Sequence, residues 1–316
     1  MKNLLILLTI LISLPAFSSI PGLEAGYDRI LSGTKSDLQR KKLLANPKVD
    51  RCSSQILNMR KDGVINIMAS FGYMDITHGQ GHTSDPNDLY GDGDVLDMDA
   101  AESLKKILKS SCNGNNKSAC NFKGRGDRLT KTFNDRWGKR ITVNIDVISP
   151  SYTSDDQANK TTHKASQTSR TAWAKSLFLN ALNDYDMVIY MGHARSGGGP
   201  DFAPPVTYNN GKVNYSHYQS RREGIRSMLN ALGSSPNPPG VIGVLACYST
   251  GLFAADVRRN APNSKVVTSG DLFQFYDILP TGYAMIQAVV SQRCGGEFSK
   301  VVKIQPDSAS TLSIFN

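Results

Sequence analysis

The stretch GVIGVLACYSTG, Gly240–Gly251, decides how this chain reads. Val241 to Ala246 are apolar or small without a break, Cys247 ends the run, and Tyr-Ser-Thr-Gly turns the chain at once. A short apolar run bounded by turn signals reads as a strand covered on both faces, and such strands belong mid-sheet in parallel sheets. A second run of this kind, DMVIYMGH (Asp186–His193), ends in a histidine and leads into the glycine-rich ARSGGGPDF. In open α/β sheets ligands bind outside the carboxyl ends of the strands. A free Cys is often only a small core hydrophobe, but here both of the most apolar strands end in a residue able to do nucleophilic or acid–base chemistry.

Working outward, strand and helix signals alternate. VINIMASFG (Val64–Gly72) and RITVNIDVIS (Arg140–Ser149) read as strands, and SKVVTSGD as a short one. DMDAAESLKKILKS carries Met98, Ala101, Leu104 and Leu108 on one helical face, and TAWAKSLFLNAL is a helix burying Trp173, Leu177 and Ala181. RREGIRSMLNAL spaces Ile225, Met228, Leu229 and Leu232 as an amphipathic helix, and GLFAADVRRNA is a helix following Cys247. Residues 151–170 read as a Ser/Thr/Asn-rich loop, and the last strong helix lies near TGYAMIQAVVSQ, after a break at Pro280. The alternation predicts βαβ units: an α/β three-layer sandwich with a mainly parallel central sheet. If the strands before His193 and Cys247 are neighbours, joined by the crossover carrying residues 221–232, imidazole and thiol project from one sheet edge.

That pairing has a chemical use. A thiol with pKa about 8.5 is only a few per cent thiolate at neutral pH. An imidazole beside it can take its proton during attack or pair with the thiolate. The N-terminal amides of the helix after Cys247 favour negative charge there. The backbone N–H of Cys247, with one from the loop after His193, could cradle a developing oxyanion.

IYMGHA, then about 50 residues, then GVLACYSTG resembles the caspase, gingipain, legumain and separase group of cysteine peptidases, which share the caspase–hemoglobinase fold. The order of strands and helices from roughly residue 64 to 292 resembles that fold as well. The resemblance implies an endopeptidase with His193 as general base, Cys247 as nucleophile, and the Ala194 and Cys247 amides as oxyanion hole. Ala194 departs from the Gly usual after this His, although its N–H remains, and SGGG at 196–199 could compensate by letting backbone approach a substrate. A catalytically inactive binding or surface module on the same scaffold is the alternative. Peptidases of this group select the residue before the cut through a charged pocket near the strand ends. Asp271, just past KVVTSG, is the substrate-binding candidate and would favour Lys or Arg; Asp75, after the first strand, is the second candidate.

Other features bound the reading. MKNLLILLTILISLPAFSS has the charge, apolar run and small-residue site of a signal peptide over residues 1–18, too short to span a bilayer, and implies export to the periplasm or beyond. Residues 19–60 read as a polar N-terminal extension and 61–316 as the α/β domain. Net charge is +9, densest in GRGDRLTKTFNDRWGKR (124–140), with no continuous basic stripe. The partners expected are therefore protein or peptide substrates, with no nucleic acid and no membrane span.

Five cysteines suit an oxidising compartment. Cys112–Cys120 could close a short loop and Cys52–Cys294 could pair, which leaves Cys247 over. No cofactor is expected, although Asp88, Asp92, Gly93 and Asp99 fall at positions 1, 5, 6 and 12 of a calcium loop. Tyr90 occupies its position 3, and the same Asp-rich loop could instead cap the helix starting near Asp97. His78 and His82 are separated by glycines that undercut a helical metal pair, and the RGD at 125–127 reads as coincidence.

Overall fold

The computed structural model of the protein describes residues 59, 61–75, 95–112, 118–135, 138–273, 275–293, 295–304 and 312–315. Five strands pair in parallel: β3 (Arg140–Ile148), β1 (Val64–Phe71), β4 (Met187–Met191), β5 (Val241–Leu245) and β6 (Lys265–Ser269), in that spatial order. Each edge is closed by an antiparallel strand, β2 (Arg128–Asn134) against β3 and β7 (Leu312–Phe315) against β6. The apolar runs before His193 and Cys247 are thus neighbouring inner strands, buried along their whole length.

Alternation along the strands feeds two cores, one on each face. Ile67, Phe71, Ile189, Met191 and Leu245 pack under α1 (Asp97–Lys109), α7 (Phe275–Val290) and α8 (Gly295–Ile304) through Leu104, Tyr283 and Phe298. Met68, Val188, Tyr190, Ile242 and Val244 face the other way. There they meet α3 (Lys164–Asp184), α5 (Glu223–Ser234) and α6 (Ala255–Asn260) through Phe178, Met228 and Val257. Each such side chain fully buried contributes about 1.5–3 kcal/mol. The protein is therefore α/β, a mixed and mostly parallel sheet with helices on both faces.

Several local expectations need correction. Residues 151–170 are not a loop: α2 (Asp156–Lys160) is capped by Asp155, which accepts from Ala158 N, and α3 begins at Lys164. Buried Gln167 anchors that early turn, accepting from Tyr152 N and donating to Pro150 O, so tertiary bonds override weak propensity. The face of α3 that is fully buried is Ala174, Phe178, Ala181 and Leu182, with Trp173 and Leu177 only half-buried. Pro280 does not start the last long helix: α7 runs from Phe275 through it. The apolar burial of that helix outweighs the one backbone bond a proline removes.

The basic run at 124–140 is the β2–β3 hairpin. In it Arg128 Nη2 lies 2.6 Å from Asp146 Oδ2, and Lys131 Nζ donates to Ser118 O. Charged side chains of this kind guard a sheet edge. Asp127 of the RGD accepts from Lys105. Cys112 and Cys120 form a disulfide, and Cys247 is the free cysteine among the described residues. Cys52, Cys294, His78, His82, Asp88 and Asp92 lie outside the described residues, as do the expected signal peptide and, apart from Met59, the 19–60 extension. Among the described residues no helix is long and apolar enough to cross a membrane.

Candidate active site

β4 and β5 run in register with Met191 opposite Leu245, and Gly192 N donates to Leu245 O at 3.1 Å. His193 and Cys247 therefore stand at equivalent positions, each two residues beyond the last pair. β1 lies on the other side of β4, with Phe71 opposite Met191, and Asp75 follows four residues later. Three adjacent carboxyl ends thus deliver Asp75, His193 and Cys247 to one edge of the sheet, where parallel topology leaves room for a ligand.

His193 is turned toward Asp75. Its Nε2 lies 3.2 Å from the Asp75 carbonyl oxygen and 3.3 Å from Asp75 Oδ1, and the ring is a quarter exposed. Asp75 is not open to a substrate, as the second specificity candidate would have to be. Its carboxylate is fully buried and ion-paired to Arg195 Nη2, and Arg195 Nε reaches Asp201 Oδ2 at 3.1 Å. Burial alone would push the Asp75 carboxyl up, but Arg195 and then His193 hold it well below the usual carboxylate range. Under this layer Tyr190 Oη accepts from Asp201 N at 3.0 Å and donates to His193 O at 3.0 Å.

Cys247 is held differently. Phe273 N donates to its Sγ at 3.4 Å, and Sγ faces Phe273 O at 3.7 Å. Burial pushes the thiol up, the Phe273 and Cys247 amides offset part of that, and the Asp271 charge adds to the rise. The lowering expected from a following helix does not prevail: Thr250–Ala254 is a widened π turn, and only then does α6 begin. Neither side chain donates to the other; His193 is turned to Asp75 and Cys247 to the β6–α7 loop.

Asp271 is exposed, and Tyr248 N donates to its carbonyl at 2.9 Å, which ties the β5 and β6 loops together. Exposed Tyr248 and Leu272 flank it. Tyr215, at the start of α4 (Tyr215–Arg221), is close enough to feel Arg195, Asp75 and Cys247, and its phenol is raised chiefly by burial.

The Ala194 and Cys247 N–H groups donate to no carbonyl among the described residues. Each functional loop opens in the left-handed region: Arg195 and Ser196 at φ 46° and 50°, Tyr248 at φ 53°. Non-glycine residues are held there only where surrounding contacts impose it. Within SGGG glycine has local reasons as well: Gly197 takes φ 91°, and a Cβ on Gly198 would meet Tyr218 at 2.7 Å.

A cleft of about 140 Å³ lies behind that loop, lined by Lys175, Phe202, His217, Tyr218 and Arg221, and it includes neither His193 nor Cys247. His193 and Cys247 stand instead at the strand-end edge. Asp97 does not cap its helix; Leu96 is the cap position, and Asp97 accepts from Ser151 Oγ and N and from Met74 N. Among the described residues no cluster of three or more His, Cys, Asp or Glu side chains could hold a metal ion.

Sequence reading missed Arg195, Asp201 and Tyr215. The one available signal was a charged residue two places after His193, just ahead of the glycines at 197–199. Compared with known proteins, the chain matches no family model, no curated protein and no solved structure.

Proposed function

We propose that the protein is an exported cysteine endopeptidase of the caspase–hemoglobinase kind, cleaving peptide bonds through an acyl-enzyme on Cys247. One observation carries the reading: His193 and Cys247 occupy equivalent places on adjacent inner strands, with Asp75 behind the imidazole. With Nε2–H given to Asp75, His193 keeps Nδ1 to accept the thiol proton. Cys247 turns from Phe273 toward His193, and Sγ adds to the substrate carbonyl carbon while its proton passes to Nδ1. The oxyanion sits against the Ala194 and Cys247 amides. His193 returns the proton to the leaving amine as the C–N bond breaks. Water, deprotonated by His193, then hydrolyses the thioester and restores the thiol. Asp271, exposed beside the thiol, suits a Lys or Arg side chain before the cut.

The test is cleavage of a peptide library by the purified wild type, Cys247→Ala and His193→Ala. Cleavage by the wild type alone, concentrated after Lys and Arg, is expected. Equal cleavage by Cys247→Ala removes the thiol from the mechanism. The rival, a non-catalytic module, draws support from the thiol's bonding to Phe273. It predicts no cleavage by any of the three and a Cys247 whose alkylation does not change in His193→Ala.

A further inference from the structure

Arg195 is the most deeply buried cation of the site, its side chain 1% exposed, and its two carboxylate partners do different things. Asp75 Oδ1 receives Arg195 Nη2 and is also the carboxylate oxygen that faces His193 Nε2, at 3.3 Å. Asp201 belongs to the loop that Tyr190 ties to the His193 carbonyl, and Tyr73 N donates to the Asp201 carbonyl at 3.0 Å. The guanidinium therefore bridges the end of β1 to the loop after β4. A planar fork with fixed donors can span two carboxylates in this way, and a lysine ammonium cannot match its geometry.

We propose that Arg195 is a positioning residue for His193, clamping Asp75 so that the ring stays aimed. The inference rests on the peptidase reading for its consequence in catalysis, but not for the electrostatics. A buried carboxylate facing an imidazole favours the protonated ring in proportion to the negative charge left uncompensated. Arg195 takes up that charge, and Asp201 takes back part of it. The charged and titratable groups at this sheet edge are Asp75 beyond β1, Arg195 and Asp201 on the loop of His193, Tyr215 on α4 and Cys247 after β5, with Asp271 after β6 close enough to act on Cys247. Lys160 on α2 feels Asp75, and Tyr218 lies against the guanidinium. None of these others bonds the Asp75 carboxylate.

The clamp predicts opposite shifts from two variants. Arg195→Gln strips Asp75 of its counter-charge, so the His193 midpoint, followed by NMR of the ring protons, rises by about one pH unit. Asp201→Asn leaves Arg195 wholly to Asp75, so the same midpoint falls, by less. The acidic limb of kcat/KM follows in each case, and kcat drops while KM holds. Arg195→Lys restores the limb but only part of the rate. Asp201 is partly exposed, so Asp201→Asn serves even where Arg195→Gln fails to fold. Midpoints that stay fixed, or move together, in an enzyme that cleaves peptides overturn the clamp and leave the peptidase standing. Opposed midpoints in a protein that cleaves nothing overturn the peptidase reading and leave the clamp standing.

Discussion

His193 Nε2 sits 3.2 Å from the carbonyl oxygen and 3.3 Å from the carboxylate of Asp75, so two acceptors of one residue bracket one ring nitrogen. A base held this way keeps one tautomer, and losing the holder costs the rate of proton transfer. Asp75→Asn is expected to lower kcat/KM by about 100-fold, within the range of general acid–base contributions. Asp75→Ala adds a stability loss of about 3–5 kcal/mol in urea unfolding, because buried Arg195 loses its main partner. An Asp75→Asn enzyme within twofold of wild type would show that the carbonyl alone suffices. Since the folded carboxyl is depressed, its stabilisation is present above the ordinary Asp value near 4 and is lost as pH falls below it.

The resting thiol is predicted to be sluggish. Burial raises Cys247, and its partner is Phe273, not His193. Iodoacetamide labelling, mapped to Cys247 by mass spectrometry, should stay slow through neutral pH and climb only above the ordinary thiol value of about 8.5. A preformed thiolate–imidazolium pair would instead give a plateau reaching down into the acid range. Substrate-analogue binding that speeds labelling at pH 7 would report the turn of the thiol toward His193.

Asp271 is the residue by which specificity can be read. Asp271→Asn should reduce kcat/KM for peptides with Lys or Arg before the cut by about 10- to 100-fold, the scale of a lost charge-assisted contact. Peptides with apolar residues there should be affected far less. Because Asp271 also raises the thiol, the variant's labelling profile should shift slightly to lower pH. Uniform loss on all peptides would make Asp271 a loop-holding residue through its carbonyl bond from Tyr248 N.

How much could be read from residues alone follows from the range of the forces involved. β4 and β5 were legible because full burial on both faces leaves an uninterrupted apolar run, and their ends put His193 and Cys247 on one edge. β2 and β7 were not, because an edge strand needs apolar side chains on one face only and RLTKTFN looks like a basic loop. The Asp75–Arg195 pair spans 120 residues of chain, and no local pattern encodes a contact that only the parallel register of β1 and β4 creates. Asp75 was visible as a strand-end acid; that its carboxylate faces inward was not.

Asp97 sets a second pH dependence with the opposite sign. Buried and bonded to Ser151, its carboxyl is pushed up to about 6, chiefly by desolvation. The folded state then holds a proton the unfolded chain has lost, so stability falls as pH rises from about 4 to 6. A shift of this size corresponds to about 3 kcal/mol. Asp186, also raised to about 6, acts in the same window. Asp97→Asn should flatten roughly half of the decline in Tm across that window. An unchanged slope would assign it to Asp186 alone.

Tyr190 offers a test of whether the site is held from below. Its hydroxyl, fully buried, accepts from Asp201 N and donates to His193 O, so one group fixes both ends of the loop that carries Arg195. Tyr190→Phe keeps the ring packing against Phe178 and Phe202 and deletes only the oxygen. The buried Asp201 N–H then lacks an acceptor, which should cost about 1–3 kcal/mol in urea unfolding. Activity should fall more than that modest loss of folded protein implies, by about 10-fold in kcat at a temperature where the variant is fully folded, because His193 loses its lower anchor. A variant that is destabilised yet fully active would show that Arg195 and Asp75 hold the imidazole without help from beneath.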